Sequence, residues 1–520
     1  MNRKSRNIRI AVLIAAAYAA IIVSLLAAES GAPGSSIHSI GDAIWYSIIT
    51  LTTVGYGDLS PVTPAGRLLG IILALCSLGL LTALIGILMS FISGEALPRM
   101  KLRSSRSSKW YVFNEENEQS AALAQSVLTD SAGSEVIFLH SAGKLISSRD
   151  AVRFACSPGE LIALKGELQD ILFFCVSEDT WDNYRQASDA AKLGISTYCL
   201  TEFGKDDPAG CLHTFSHREI ISRCYWRDFP LLRNEKNVVL IGSGSIASEL
   251  LERGLLTNVF EAGRYINYHV FGDPSEFRKS HPEAVKALGS GSADDDALFF
   301  YEGSWKDRPD IIRSADRIII CEDDDKSDLS INKELSKWFP TTATVHVRIN
   351  ADLGQVNTFG SCSSIYTLKS LIRDDINRLA VTLHEIYSES ADDPVRWDDL
   401  SGHLKRSNIT AADHMIVKVR FITGDDSITE LTEENCRKAY ELFRNADPQL
   451  RDVCREMEHR RWMRFHQMYN WIYSPQRDNR MRQHPLMLPY QELSEEDKEK
   501  DAYAWEMLGR VADRPAVRRD

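Results

Sequence analysis

Thr52-Thr53-Val54-Gly55-Tyr56-Gly57-Asp58 lies between two long apolar runs. Glycines at 55 and 57 open backbone dihedrals closed to other residues, so successive carbonyls can turn toward one axis. The Thr53 hydroxyl can add a further oxygen ring below them. The segment before the loop, Ile37 to Leu51, is apolar but too short to span a bilayer. It fits a re-entrant helix buried in protein, where non-spanning backbone is tolerated. The C-terminal end of such a helix carries partial negative charge, which suits a cation. Trp45 and Tyr46 are placed to pack around the loop and hold its diameter. Upstream, Ile10 to Ala28 is apolar over a length that suffices to cross the hydrocarbon core. Glu29 to Ser36 reads as a Gly/Pro/Ser loop. Downstream, Ser60-Pro61-Val62-Thr63-Pro64 reads as a turn and Gly66 to Ile92 as a second span.

A Thr-Val-Gly-Tyr-Gly loop in this setting serves as a ring of carbonyls that replaces the hydration shell of K⁺. Residues 40–58 closely resemble the pore helix and filter of potassium channels. The resemblance implies a selectivity filter of Thr53, Val54, Gly55, Tyr56 and Gly57 with K⁺ at its carbonyls, and Asp58 as a negative ring at the outer mouth. A filter of this kind needs four copies around an axis, hence a homotetramer. Gly79 and Gly86 on the second span are candidate bends for an inner gate, and position favours Gly79 as the gating hinge.

Composition divides the chain sharply. No Lys or Arg occurs between Arg9 and Arg67, nor between Arg67 and Arg99, so the membrane part is confined to the N-terminal region. Basic residues Arg3, Lys4, Arg6 and Arg9 precede it, and Arg99, Lys101, Arg103, Arg106 and Lys109 follow it. By the positive-inside rule both termini are cytoplasmic and the filter faces outward, in a multi-pass protein of the cell (inner) membrane. The charged N-terminus and long apolar run read as a retained helix rather than a cleaved signal. No Arg-repeat helix precedes the pore, so gating falls to the soluble part. A net charge of −12 argues against nucleic acid as a partner. Ten scattered cysteines, with no CxxC pair, read as reduced thiols rather than a disulfide or metal framework.

From Trp110 strands alternate with helices: a strand over 109–114, a helix from Glu118 to Leu128, Val136 to His140, Leu161 to Leu164 with a helix-like stretch before the next strand, Ile171 to Val176, a helix to about Lys192, and Thr197 to Leu200. Such alternation predicts a parallel doubly wound sheet. Its first strand-to-helix turn carries Asn114-Glu115-Glu116-Asn117-Glu118, acidic and without glycine, so this unit keeps the fold and has lost dinucleotide binding. A second unit opens at Asn237-Val-Val-Leu-Ile-Gly-Ser-Gly-Ser-Ile-Ala247. Gly242, Gly244 and Ala247 fit G-x-G-x-x-A between a strand and a helix from Ser245, and Asp273 stands after the next strand where it could bind a ribose hydroxyl. A pore followed by two Rossmann-like units resembles the RCK (regulator of K⁺ conductance) class of ligand-gated channels. That implies a gating ring of eight units beneath a tetrameric pore. The acidic runs 294–296 and 322–325 raise a calcium alternative.

Val356 to Ser388 reads as a strand remnant and one long helix from Tyr366 to Ile386. Beyond Pro394, Trp397 to Leu400, Ser407 to His414, Glu456 to Trp462, Trp471, His484-Pro485, Pro489 to Leu493 and Lys498 to Asp501 resemble the helical RyR module over about 395–510, with Asn470 where that family often has glycine. The resemblance implies small-molecule recognition. Arg460, Arg461 and Arg464 could pair with phosphate, and Trp462 or Trp471 could stack on a base; core tryptophans and a solvated arginine face are the alternative.

The expected fold class is a membrane α-helical pore, two spanning helices plus a re-entrant helix, followed by tandem α/β Rossmann-like RCK domains and a mainly α-helical RyR-like domain. The expected divisions are 1–97 (pore), 98–109 (linker), 110–232, 233–390 and 391–515. The expected function is a K⁺-selective homotetrameric channel, not an enzyme, opened by a cytosolic, nucleotide-derived ligand, as a stress or antiphage effector. Alternatives are the same pore triggered by Ca²⁺ or NAD(H), and a membrane-tethered NAD-dependent oxidoreductase, for which no acid–base set is evident.

Overall fold

The computed structural model describes residues 17–514, apart from 92–96, 106, 108, 132, 142–143, 148, 166–169, 203–209, 290, 292–293, 323, 355–356, 372–375 and 390–393. Arg3, Lys4, Arg6, Arg9, residues 10–16 of the first expected span, Ile92, Arg106 and Val356 lie outside the described residues. The chain divides into two compact units, Met1–Ser104 and Ser105–Asp520.

The first unit contains α1 (17–29), α2 (Ile40–Leu51), α3 (Pro64–Phe91) and α4 (Leu97–Ser104). A capping box starts α2: the Ser39 hydroxyl accepts from the Asp42 N–H at 3.2 Å, and the Asp42 carboxylate accepts from the Ser39 N–H at 2.8 Å. With 12 residues α2 rises only about 18 Å, well short of a bilayer core. The 28 residues of α3 rise about 42 Å. Among the described residues no helix is long and apolar enough to cross a membrane. The described part of α1 is short, and on α3 the side chains at 77, 78, 80, 81, 83, 84, 87, 90 and 91 are outside the described set. Glu29, expected in a loop, is instead the last residue of α1 and fully buried.

The second unit begins with β1 (Trp110–Glu116), α5 (Glu118–Asp130), β2 (Glu135–Ser141), β3 (Ala151–Arg153), α6 (Pro158–Lys165), β4 (Ile171–Cys175), α7 (Thr180–Lys192), β5 (Ser196–Leu200), β6 (Leu212–Phe215) and α8 (His217–Asp228). There follow β7 (Asn237–Ile241), α9 (Ser245–Thr257), β8 (Asn267–Phe271), α10 (Ser275–Ser280), α11 (Pro282–Leu288), β9 (Ala297–Tyr301), α12 (Pro309–Ser314), β10 (Arg317–Ile320), α13 (Asp325–Trp338), β11 (Thr344–Arg348) and β12 (Thr358–Phe359). The two six-stranded sheets run β3-β2-β1-β4-β5-β6 and β12-β11-β10-β7-β8-β9, with parallel pairing throughout. Numbered within its own unit, each sheet has the strand order 3-2-1-4-5-6 of the Rossmann fold. The central strands are nearly continuous apolar runs, as burial on both faces requires; Ile171–Cys175 is buried at every position.

The chain ends in α14 (Cys362–Ile365), α15 (Leu368–Leu371), α16 (Arg378–Ser388), α17 (Gly402–Thr423), α18 (Glu433–Arg444), α19 (Pro448–Met468), a small pair β13 (Ile472–Tyr473) and β14 (Gln483–His484), and α20 (Glu495–Ala512). The single helix expected over 366–386 is therefore broken. Tyr366 leaves helical geometry with ψ 78°, fully buried, its hydroxyl 2.7 Å from His217 Nδ1, and the Thr367 hydroxyl then accepts from the Ser370 N–H to begin a new turn. Leu161 to Leu164 lie on the helix α6, while the short strands β3 and β6 had no sequence expectation. One hydrophobic core runs from Phe113 and Phe174 of the first sheet through Leu240 of the second to Trp505 and Leu508 of α20.

Candidate functional site

The filter loop alternates in hand. Thr53, Gly55 and Gly57 have φ of 61°, 56° and 74°, while Val54 and Tyr56 stay on the negative side. Alternating hand keeps successive carbonyls on one side of the chain, where extended backbone would send them to opposite sides. Threonine is β-branched, so its left-handed φ stores strain of roughly 1–3 kcal/mol. The loop is held by its neighbours. Val54 and Gly55 N–H both donate to the Ile49 carbonyl, at 2.9 and 3.1 Å. Trp45 stacks on Tyr56, with ring centroids 6.3 Å apart and 9° between planes, and its Nε1–H donates to Asp58 Oδ2 at 2.9 Å. Tyr46 faces elsewhere: its hydroxyl lies where a Cβ on Gly70 would come within 2.6 Å, so it packs on α3 rather than on the loop.

Glu29 carries a role not expected from the sequence. It accepts from the Ser35 hydroxyl at 2.9 Å, the Val62 and Thr63 N–H groups at 3.0 and 2.9 Å, and the Thr63 hydroxyl at 2.6 Å. The carboxylate thus ties the end of α1 to the segment between the filter and α3. Gly66 is what leaves it room, because a Cβ there would sit 2.0 Å from Glu29 Oε1. The signal available in the sequence was a lone carboxylate closing an apolar run. On α3, a Cβ at Gly79 would meet nothing within 4 Å, and the Thr82 hydroxyl donates back to the Gly79 carbonyl at 2.9 Å.

In the second α/β unit Gly242, Gly244, Ala247 and Asp273 line one small cleft. A Cβ on Gly242 would lie 1.9 Å from the Cys321 carbonyl oxygen, and Gly244 has φ 107°. Both glycines are therefore required by the backbone itself. The loop already holds an anion: the Ser243 N–H and hydroxyl donate to Glu322 Oε2 at 3.1 and 2.8 Å. The cleft has a volume of about 10 Å³, the room of a single water. Asp273 is turned to Ser275, accepting from its N–H at 2.9 Å. In the first unit Glu116 is buried in the corresponding turn, where Arg153 donates to it from two nitrogens and the Leu145 and Ile146 N–H groups donate at 2.8 and 3.1 Å.

The module's arginines are buried and engaged. Arg460 donates to the Phe260 carbonyl at 2.7 Å and to Asp295 at 3.1 Å; Arg464 bridges Asp295 and Asp296 at 2.7 and 3.0 Å; Arg461 pairs with Glu458. Burial raises the Asp296 carboxyl, and the same burial is outweighed at Asp295, which the Arg464 and Arg460 charges hold below the usual range. Trp471 is buried against His403, His466 and His484, and Trp462 packs on His459 and His466. These residues form a core and a docking face, not a phosphate cradle. In the acidic runs Asp323 lies outside the described residues, and Asp295, Asp296, Glu322, Asp324 and Asp325 are likewise engaged. Asp324 caps α13, Asp325 accepts from the Asn350 and Ala351 N–H groups, and among the described residues no group of three or more His, Cys, Asp or Glu could hold a metal ion.

Residues 10–94 match the family model described as "Ion channel", and residues 442–509 match the RyR domain. A "Voltage-gated potassium channel" of Aeropyrum pernix is 43% identical over 76 residues, 15% of this chain and 25% of that protein. "Potassium voltage-gated channel subfamily A member 4" of Homo sapiens is 34% identical over 103 residues, 20% of this chain and 13% of that protein. The chain thus spans a quarter or less of the length of these curated relatives, which are channels and not enzymes. Among solved structures, "GsuK Channel" is similar with TM-score 0.32 and 14% identity, covering 69% of this chain and 94% of that one. The GsuK bound to ADP gives TM-score 0.29 and 15% identity, covering 81% and 99%. Residues 10–94 are therefore an ion-channel domain of the potassium-channel type, carried in one chain with an RyR domain over residues 442–509.

Proposed function

We propose that four copies of this chain form a K⁺-selective channel in the cell membrane, opened by a cytosolic, nucleotide-derived ligand. The observation that carries the reading is the alternating hand of Thr53, Gly55 and Gly57, braced by the Trp45–Tyr56 stack and the Trp45–Asp58 hydrogen bond. Four such loops around an axis supply rings of carbonyls at the spacing of a dehydrated cation. In this reading residues 1–97 form the pore, 98–109 the linker, 110–232 and 233–390 the two RCK units of an eight-membered ring, and 391–515 the RyR-like module. Gly79 is the hinge; the Thr82 hydroxyl, bonded back to its carbonyl, supports a bend at that turn. The role as a stress or antiphage effector, which dissipates the ion gradient when a signal arrives, rests on the combination of pore and sensor in one chain.

The test is ion flux from proteoliposomes against a panel of nucleotides. K⁺ efflux that exceeds Na⁺ efflux under at least one nucleotide is expected. Equal K⁺ and Na⁺ rates under every condition overturn the reading. Calcium added alone is expected to leave flux unchanged, since the acidic residues proposed for it are engaged in caps and ion pairs.

A further inference from the structure

A cavity of about 260 Å³ lies where α8, α9 and α16 meet α17 and the loop 424–431. Its apolar wall includes Trp226, Phe260, Leu379, Ile416, Phe421 and Leu431. Most charges on the wall are satisfied. Arg223 donates to both Asp413 oxygens at 2.9 and 2.8 Å, Arg233 to Asp426 at 3.2 Å, and Arg227 to Asp228 at 2.7 Å. Three atoms are not. Arg420 is 6% exposed and spends its Nε–H on the Ile428 carbonyl at 2.6 Å, leaving Nη2 buried without a partner. Arg264 lies 3.5 Å over the Phe260 ring and gives one Nη2–H to the Leu232 carbonyl, leaving Nε buried without a partner. Glu261 Oε2 is buried without a donor.

Buried guanidinium and carboxylate groups are costly to leave unpaired. Here two unpaired donors and one unpaired acceptor line the same mainly apolar space. Burial holds both Arg420 and Arg264 below the ordinary arginine value, and the Asp426 charge of the loop acts on both. Trp226, Phe260 and Phe421 on the wall give the cavity an aromatic lining suited to a planar group.

We infer that this cavity is a binding site for a small molecule with a planar apolar body, one anionic group for Arg420 and Arg264, and an N–H or O–H donor for Glu261. A nucleoside monophosphate and an aromatic amino acid share that chemistry. The site is separate from the glycine loop at Gly242, and it spans the second α/β unit and the helical module, so an occupant would brace the two. Its occupancy is independent of whether the chain conducts.

The experiment is isothermal titration of the full-length chain in detergent with AMP and with L-tryptophan, each against a counterpart that lacks the anion, adenosine and tryptamine. At least one anion is expected to bind once per chain, with its counterpart about tenfold weaker or worse. Arg420→Met, which keeps the length and removes the charge, is expected to weaken it by a similar factor. Leu431→Trp, which adds bulk to the cavity wall and leaves both arginines in the sequence, is expected to abolish binding, and it decides alone if the arginine variant fails to fold. The AMP arm binding assigns the nucleotide source, the tryptophan arm the amino-acid source. Neither binding at millimolar concentration, counterparts binding as well as the anions, or Leu431→Trp retaining full affinity overturns the inference.

Discussion

Gly55 and Gly57 have nothing within 4 Å of where a Cβ would stand, so their need for glycine is conformational and not steric. Gly55→Ala should therefore cost about 1–2 kcal/mol locally and leave the fold intact. The expected outcome is a chain that elutes as the wild type yet no longer favours K⁺ over Na⁺ in the flux assay. Glu29→Gln should act in the opposite way. It replaces an acceptor of four hydrogen bonds with a side chain that must turn an NH₂ toward some of those donors. A destabilisation of roughly 1–3 kcal/mol is expected, read as a lower midpoint of thermal unfolding. Asn470 shows how a departure from a family pattern can preserve the geometry behind it. It stands at φ 59°, the left-handed region glycine enters freely, and asparagine is among the residues that tolerate it best. Its Nδ2–H also donates to the Ser280 carbonyl at 2.8 Å, a contact glycine could not make.

At the scale of the element, the glycine loop and the end of β10 form one device. Glu322 occupies the donors that a phosphate would use, and its own N–H donates to Asp328 Oδ1 at 2.7 Å. Asp328 is fully buried, and burial pushes its carboxyl up to about 7 from an ordinary 3.8. A carboxyl with a raised folded value binds its proton more tightly in the native state. Its stabilising contribution is thus complete below pH 3.8 and is lost as pH rises through about 7. Asp328→Asn, which keeps the acceptor oxygen, should flatten the fall in thermal stability between pH 4 and pH 7, and a slope equal to the wild type would refute this. Glu322→Gln removes the resident charge from the Ser243 donors and should raise the affinity of the loop for inorganic phosphate several-fold, measured by titration calorimetry. The two Rossmann sheets were legible because strand–helix alternation, and in the second unit Val238 to Ile241 with the glycines after them, are patterns local in sequence. Glu322 was not legible as their partner, since seventy-nine positions separate it from Ser243. The short strands β3 and β6 and the break at Tyr366 were hidden for the same reason: each depends on a distant contact, such as His217 for Tyr366.

Over the whole second unit, the sheets and the helical module share one core, and several long-range bonds fasten the module to the second sheet's layer. His414 Nε2 lies 2.7 Å from the Val259 carbonyl oxygen, His281 Nδ1 2.7 Å from that of Met468, and Tyr469 donates to Glu252 at 3.2 Å. The arginines 460 and 464 add the buried pairs with Asp295 and Asp296. Their sequence pattern suggested a ligand face because arginine on a helix looks alike whether its partner is a phosphate or a protein carboxylate. Arg464→Met should leave Asp296 buried without its cationic partner, at a cost of about 3–5 kcal/mol. The readout is a single, lowered thermal transition for the entire second unit, whereas a module that melts separately would contradict the shared core. Removal of everything beyond residue 390 is expected to expose that core rather than silence a sensor selectively. The last helix has a further consequence in time. Trp505 and Leu508 on α20 complete packing that begins at Phe113. At ribosomal rates of ~5–20 residues per second, the stretch from Gly57 to α20 takes roughly 20 to 90 seconds to synthesise. The Thr53 to Gly57 loop is therefore made well before the core of the second unit can close, and every newly made chain passes through an interval in which the first unit is fully synthesised and the second is not.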